Sequence, residues 1–159
     1  MYELFEQKYR ECEKALFLVA LGYLHNTEEA KDCVQDAAYA ALKSFGRLKN
    51  ADYFKTWITR IVINKSKDYL RKKRFSLELS DKLDVFCDLP SEEIEIMDCI
   101  LRLGRKQSVY ITLRFYCEMT YDEAAEILRQ PVSTVKYRTK KALFELKKHL
   151  EGEISNEYV

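Results

Sequence analysis

The apolar positions Phe5, Tyr9, Cys12, Leu16, Val19 and Tyr23 step along the chain by four and three residues in alternation. That spacing holds one stripe on one side of a helix. It predicts an amphipathic helix over residues 3–23 whose seam packs inside the chain. His25 falls in a short break and reads as a surface residue. Thr27 is then a good N-cap, and Glu28 and Glu29 put negative charge on the positive end of the next helix. Ala30, Cys33, Val34, Ala37, Ala41 and Phe45 form its buried stripe, while Asp32, Gln35, Asp36 and Tyr39 recur at i, i+3, i+4 and i+7 on a common outward face. Such a face is by default a solvated one. Two acids, an amide and an aromatic on a helix of an otherwise basic block suit a basic protein partner equally well.

A loop over residues 46–52 carries Arg47, Lys49 and Asn50. The third helix, predicted over residues 53–74, buries Phe54, Trp57, Ile58, Ile61 and Leu70. Its other positions include Lys55, Arg60, Asn64, Lys65, Lys67, Arg71, Lys72, Lys73 and Arg74, with Asp68 the one acid. Cations near a helix C-terminus are favoured by the dipole, but the run over residues 71–74 exceeds what capping needs. Interleaved with Trp57 and Tyr69, these groups suit phosphate contacts plus base stacking.

The helical pattern breaks over residues 75–90, where Leu89 precedes Pro90 and is pushed out of the helical region. This stretch is expected to be an interdomain linker. Two further helices follow over residues 92–103 and 107–116, separated at Gly104, with Ile96, Ile100, Leu103, Tyr110, Leu113 and Tyr116 or Cys117 as core. Residues 120–141 then read as a helix-turn-helix. Thr120 with Glu123 makes a capping box, Ala124, Ala125 and Leu128 give a close-packing face, and Pro131 stops that helix and opens the next. The second helix buries Val135 and Ala142 and is predicted to reach residue 150 through Leu143, Leu146 and Leu150. Ser133, Lys136, Tyr137 and Lys140 share its outer face, which is short, basic and rich in hydrogen-bonding groups, as a helix entering the major groove needs. A helical hairpin with a merely solvated basic face is the plainer alternative.

Composition sharpens this picture. The 159 residues include only 4 Gly and 2 Pro, which leaves little turn material and points to an all-helical chain of one or two small domains. The net charge of +1 conceals a strong segregation. Residues 1–74 carry 15 Lys and Arg against 10 acids, and residues 99–150 carry 11 against 5, whereas residues 75–98 carry Lys82 alone against eight acids. Two basic blocks flanking an acidic connector are the footprint of a polyanion binder. The 5 cysteines are odd in number and form no C-x-x-C pair, so buried thiols of a cytoplasmic protein are expected rather than a zinc or disulfide framework. No apolar run approaches the length of a membrane span.

The segments AKDCVQDAAYAAL and FKTWITRIVINKSKDYLRKKR, followed by LGRKQSVYITLRFYCEMTYDEAAEIL and PVSTVKYRTKKALFELKKHL, resemble bacterial RNA polymerase sigma factors of the extracytoplasmic-function type. The resemblance covers residues 2–74 and about 92–150. It implies an all-α chain of two small domains: residues 1–74 as region 2, 75–91 as an acidic flexible linker, 92–150 as region 4 with its helix-turn-helix, and 151–159 as an acidic tail. It further implies a non-enzymatic factor that binds core RNA polymerase and directs promoter-specific initiation, with no cofactor or metal. Core docking then falls to Asp32, Gln35, Asp36 and Tyr39. Opening and reading of the −10 element fall to Arg47, Lys49, Asn50, Arg60, Asn64, Lys67 and Arg71, with a base flipped into a pocket. Reading of the −35 duplex falls to Ser133, Thr134, Lys136, Tyr137, Arg138, Lys140 and Lys141. Promoter DNA, core polymerase and an anti-sigma factor are the expected partners. Three positions depart from the family pattern. Arg129 stands at the usual turn glycine, so it must change conformation or adopt positive φ; Gln130 replaces an apolar residue under the turn; Ser133 replaces a glycine. Two other classes compete: a helix-turn-helix regulator acting without polymerase, which has no evident use for the Asp32 face, and an enzyme using Asp32 and Asp36 as paired metal ligands, which no histidine accompanies.

Overall fold

The computed structural model describes the backbone of residues 1–75 and 91–157, and the side chains of residues 1–74, 95 and 97–152. The expected linker over residues 75–91 therefore lies almost wholly outside the described residues, as does the Ile96 side chain. The described residues are helical or in turns, with no strand among them, and the chain divides into two compact units, Met1–Asp84 and Val85–Val159.

The first unit is a three-helix bundle of α1 (Tyr2–Leu24), α2 (Thr27–Ser44) and α3 (Phe54–Phe75), each packed on the other two. The predicted seam of α1 is present, but its C-terminal half goes further: Leu18, Val19, Ala20, Leu21 and Leu24 are all buried, as an apolar helix end gripped by two neighbours must be. The left-handed backbone of His25 (φ 51) closes α1. Asn26, rather than Thr27, is the N-cap of α2: its Oδ1 accepts from the Glu29 amide at 3.0 Å, and Thr27 is buried in the first turn. The stripe Ala30, Cys33, Val34, Ala37, Ala41 and Phe45 is buried as spacing requires. Small residues on that stripe let α2 lie close to its neighbours. Phe5, Phe45 and Phe54 meet edge-to-face at 5.4–5.8 Å between ring centroids and lock the open end of the bundle.

On α3 the buried face is rotated from the expected one. Val62 and Ile63 are fully buried alongside Phe54 and Ile58, whereas Trp57, Ile61 and Leu70 are half-buried. Two polar residues account for the rotation: Thr59 and Ser66 line the core because each hydroxyl donates to its own helix, to the Lys55 and Val62 carbonyls at 2.6 and 2.8 Å. A hydroxyl satisfied in this way is hidden from an apolar-position count.

The second unit contains α4 (Ser91–Arg102), α5 (Arg105–Ile111), α6 (Tyr121–Leu128) and α7 (Val132–Glu157). After α5 the chain widens into a five-residue π turn, Thr112–Tyr116, closed by the Cys117 amide donating to the Thr112 carbonyl at 3.0 Å. The core takes Leu101 rather than Leu103, Cys117 rather than Tyr116, and Ile127 rather than Leu128. On α7, Val135, Thr139, Ala142 and Leu146 are buried while Leu143 and Leu150 are exposed. That helix also passes the expected stop near residue 150 and runs to Glu157, since Gly152 alone weakens a helix by only about 1 kcal/mol.

The capping box is formed as predicted, with Glu123 N–H donating to Thr120 Oγ1 at 3.2 Å and Thr120 N–H to Glu123 Oε2 at 3.1 Å. Arg129 does adopt positive φ (54). The Gln130 amide donates to the Ala125 carbonyl and the Arg129 amide to the Glu126 carbonyl, the paired bonds of a Schellman turn. A non-glycine residue there costs roughly 1–2 kcal/mol, partly offset by about 0.4–1 kcal/mol of unfolded-chain entropy that glycine would restore. Arg129→Gly is therefore expected to stabilise the second unit by about 0.5–1 kcal/mol, read as a higher urea midpoint at unchanged slope. An unchanged or lower midpoint would mean that the arginine side chain offsets its own backbone strain.

Candidate nucleic-acid and partner interfaces

Three faces carry the chemistry that the sequence singled out. The first is the outer side of α2. Asp32, Gln35, Asp36 and Tyr39 are all exposed, directly behind the buried alanine stripe. The structure adds two neighbours to this row. Lys43 Nζ sits 4.1 Å from the Tyr39 ring centroid, a cation–π contact, and Tyr69 of α3 donates its hydroxyl to Asp36 Oδ2 at 2.7 Å. That bond to the carboxylate, with burial second, holds the Tyr69 proton well above the ordinary tyrosine range. Tyr69 is thus committed to α2, where spacing had offered it for base stacking.

The second face lies on α3. Arg60, Asn64, Lys67 and Arg71 are exposed and share one side of the helix, a row of about 16 Å at 1.5 Å per residue. Arg71 pairs with Asp68 at 2.7 Å in the open, where such a pair exchanges readily with solvent or phosphate. Lys73 serves the bundle instead, since its Nζ meets Glu29 at 2.6 Å and ties the end of α3 to the start of α2. In the preceding loop Arg47, Lys49 and Asn50 are exposed. Asn50 is already engaged, because its Oδ1 caps the turn Ala51–Tyr53 by accepting from the Asp52 amide at 2.9 Å. Tyr53, at 64% exposure, is the aromatic that this loop presents, and spacing did not single it out; Trp57 packs instead against Phe45 and Phe54. Beside the loop, Lys8, Glu11, Cys12, Ala51, Asp52, Phe54 and Lys55 line a recess of about 220 Å³.

The third face is the first half of α7. Ser133, Lys136, Tyr137, Lys140 and Lys141 are exposed, with Tyr137 at 66%, and Thr134 is half-buried. Arg138 is exposed as a residue, but its guanidinium turns inward, Nη1 donating to the Tyr110 hydroxyl at 3.0 Å; that hydroxyl in turn donates to Gln130 Oε1 at 2.6 Å. Spacing marks Tyr110 as core alone, because a pattern of apolar positions does not show where a phenol hydroxyl points.

Two family models match the chain in order, sigma-70 region 2 over residues 9–76 and sigma-70 region 4 over residues 93–146. The extracytoplasmic-function RNA polymerase sigma factor SigW of Bacillus subtilis is 31% identical over 157 residues, covering 85% of this chain and 82% of that protein. The chain belongs to the extracytoplasmic-function sigma factors. The RNA polymerase sigma factor SigV of the same organism is 28% identical over 131 residues, covering 80% of this chain and 79% of its own length. Among solved structures, the sigma factor RpoE of Bartonella quintana, crystallised with the anti-sigma factor NepR, superposes with a TM-score of 0.79 over 92% of this chain and 96% of its own, at 22% identity. That likeness shows the all-α fold of sigma regions 2 and 4 in this sigma factor. No helix among the described residues is long and apolar enough to cross a membrane.

Proposed function

We propose that this sigma factor docks on core RNA polymerase through Asp32, Gln35, Asp36 and Tyr39, opens and reads the −10 element with its α3 row and preceding loop, and reads the −35 duplex with α7. It acts in the cytoplasm, without intrinsic catalysis, and an anti-sigma factor controls it. The observation that carries this reading is the pairing of opposite chemistries on one rigid bundle. An exposed acidic and amide row stands on α2, and an exposed cationic row stands on α3. A regulator that binds DNA alone has a use for the second row and none for the first.

The α3 row supports contact with a displaced single strand, where cations follow the backbone and exposed aromatics such as Tyr53 stack on bases. The recess beside the loop supports capture of a flipped base, since its lysines and carboxylates offer both donors and acceptors to a base edge. The α7 face supports major-groove readout by Lys136, Tyr137 and Lys140. On core polymerase carrying this chain, Lys136→Ala is expected to weaken binding to a selected −35 duplex by about 1–3 kcal/mol if the lysine contacts a base. A phosphate contact would instead weaken all sequences alike and flatten the salt dependence by about one unit. No change in affinity or slope would remove α7 from the DNA interface.

A further inference from the structure

We propose that Arg138 is a positioning residue for base recognition: through the Tyr110 hydroxyl it sets the rotation of α7 against α5 and the turn, and it does not itself contact DNA. The inference rests on the reading of α7 as the DNA-facing helix and names what aims that helix.

The chain of bonds has a fixed polarity. A guanidinium has only donors, so the Tyr110 oxygen must accept from Arg138 Nη1 and spend its own proton on Gln130 Oε1. The positive charge at one end makes the phenol a stronger donor at the other. One hydroxyl therefore joins three segments: α5 through Tyr110, the turn through Gln130, and α7 through Arg138. Each is anchored independently. Tyr110 is 6% exposed, in the core. Gln130 is held by its backbone bond to the Ala125 carbonyl at 3.0 Å. On α7, Arg138 lies between Val135, which is buried, and Lys141, which is exposed, three residues to either side of it. Apolar packing alone leaves a helix some freedom to roll, whereas base-edge contacts need side chains within about 0.5 Å of their productive positions. A directional bond at the edge of the packed stripe removes that freedom.

The test uses core polymerase carrying this chain. A duplex is first selected from a random-sequence pool, and its affinity is then compared with that of a scrambled duplex across a range of salt concentrations. Tyr110→Phe, Arg138→Gln and the double variant are measured. Tyr110 is too buried to reach DNA, so any effect of its hydroxyl on sequence preference must be transmitted. Each single variant is expected to lower the selected-to-scrambled ratio about 3–10-fold with the salt slope unchanged, and the double variant is expected to be no worse than the weaker single, as partners in one bond are. An unfolded fraction would lower both affinities alike and leave the ratio intact; that result, or a silent Tyr110→Phe beside an Arg138→Gln slope flatter by about one unit, overturns the proposal. Failure of the unvaried complex to select any sequence would instead overturn the reading of α7 as a DNA-facing helix, and the proposal with it.

Discussion

Asp36→Arg is expected to abolish useful association with core RNA polymerase while leaving the first unit folded. Asp36 is exposed, and its one described bond is to the Tyr69 hydroxyl, so folding loses about 1 kcal/mol, the net worth of one hydrogen bond. If the α2 face meets basic residues on the polymerase, the new arginine makes a like-charge contact costing several kcal/mol. At 1.4 kcal/mol per tenfold, that is a loss of roughly a hundredfold or more in affinity. Tyr69→Phe is the matching control: it removes the hydrogen bond but keeps the charge, and it is expected to leave core affinity within a few-fold. Titrating labelled core against each variant reads the association. Trp57, the only tryptophan in the chain, reports folding of the first unit by its fluorescence. Core affinity unchanged in Asp36→Arg would show that the docking face lies elsewhere.

Leu113→Ala is expected to have the largest effect on stability, and to confine it to the second unit. Leu113 is fully buried, and deleting three of its side-chain carbons costs about 2–5 kcal/mol in transfer and cavity terms. A unit of this size has roughly 4–10 kcal/mol to lose, at 0.05–0.15 kcal/mol per residue. Two probes separate the units, since Trp57 lies in the first and helical circular dichroism reports both. The dichroism transition should shift to lower urea and split, while the Trp57 transition stays where it is. An equal shift in both would mean that the two units unfold as one cooperative body.

The elements were legible where one physical signal dominated. The alternating four-and-three step of α1, the alanine stripe of α2 and the Thr120–Glu123 capping box are local patterns, and each appears in the structure close to its expected place. Legibility failed where a polar group was satisfied by something that a count of apolar positions does not see. Thr59 and Ser66 bury themselves by bonding their own helix, which rotated the predicted face of α3. Asn26 displaced Thr27 as the cap because the two are adjacent and either residue type serves. Leu143 and Leu150 look like core by spacing, yet both sit to one side of the buried stripe Val135, Thr139, Ala142 and Leu146, and both are exposed. The same limit applies to the sites. The exposed rows on α2, α3 and α7 follow from helical periodicity and are exposed as expected. Contacts between elements do not follow from it: Tyr69 with Asp36, and Arg138 with Tyr110, join residues 33 and 28 positions apart.

As a sigma factor, this chain is expected to give core RNA polymerase its promoter specificity. The most direct measurement is sequencing of transcript 5′ ends made by purified core polymerase on genomic DNA fragments, with and without the chain. With the chain, starts are expected to cluster downstream of a shared two-block sequence, and Asp36→Arg is expected to scatter them again. Start sites that are the same with and without the chain would show that it confers no promoter specificity.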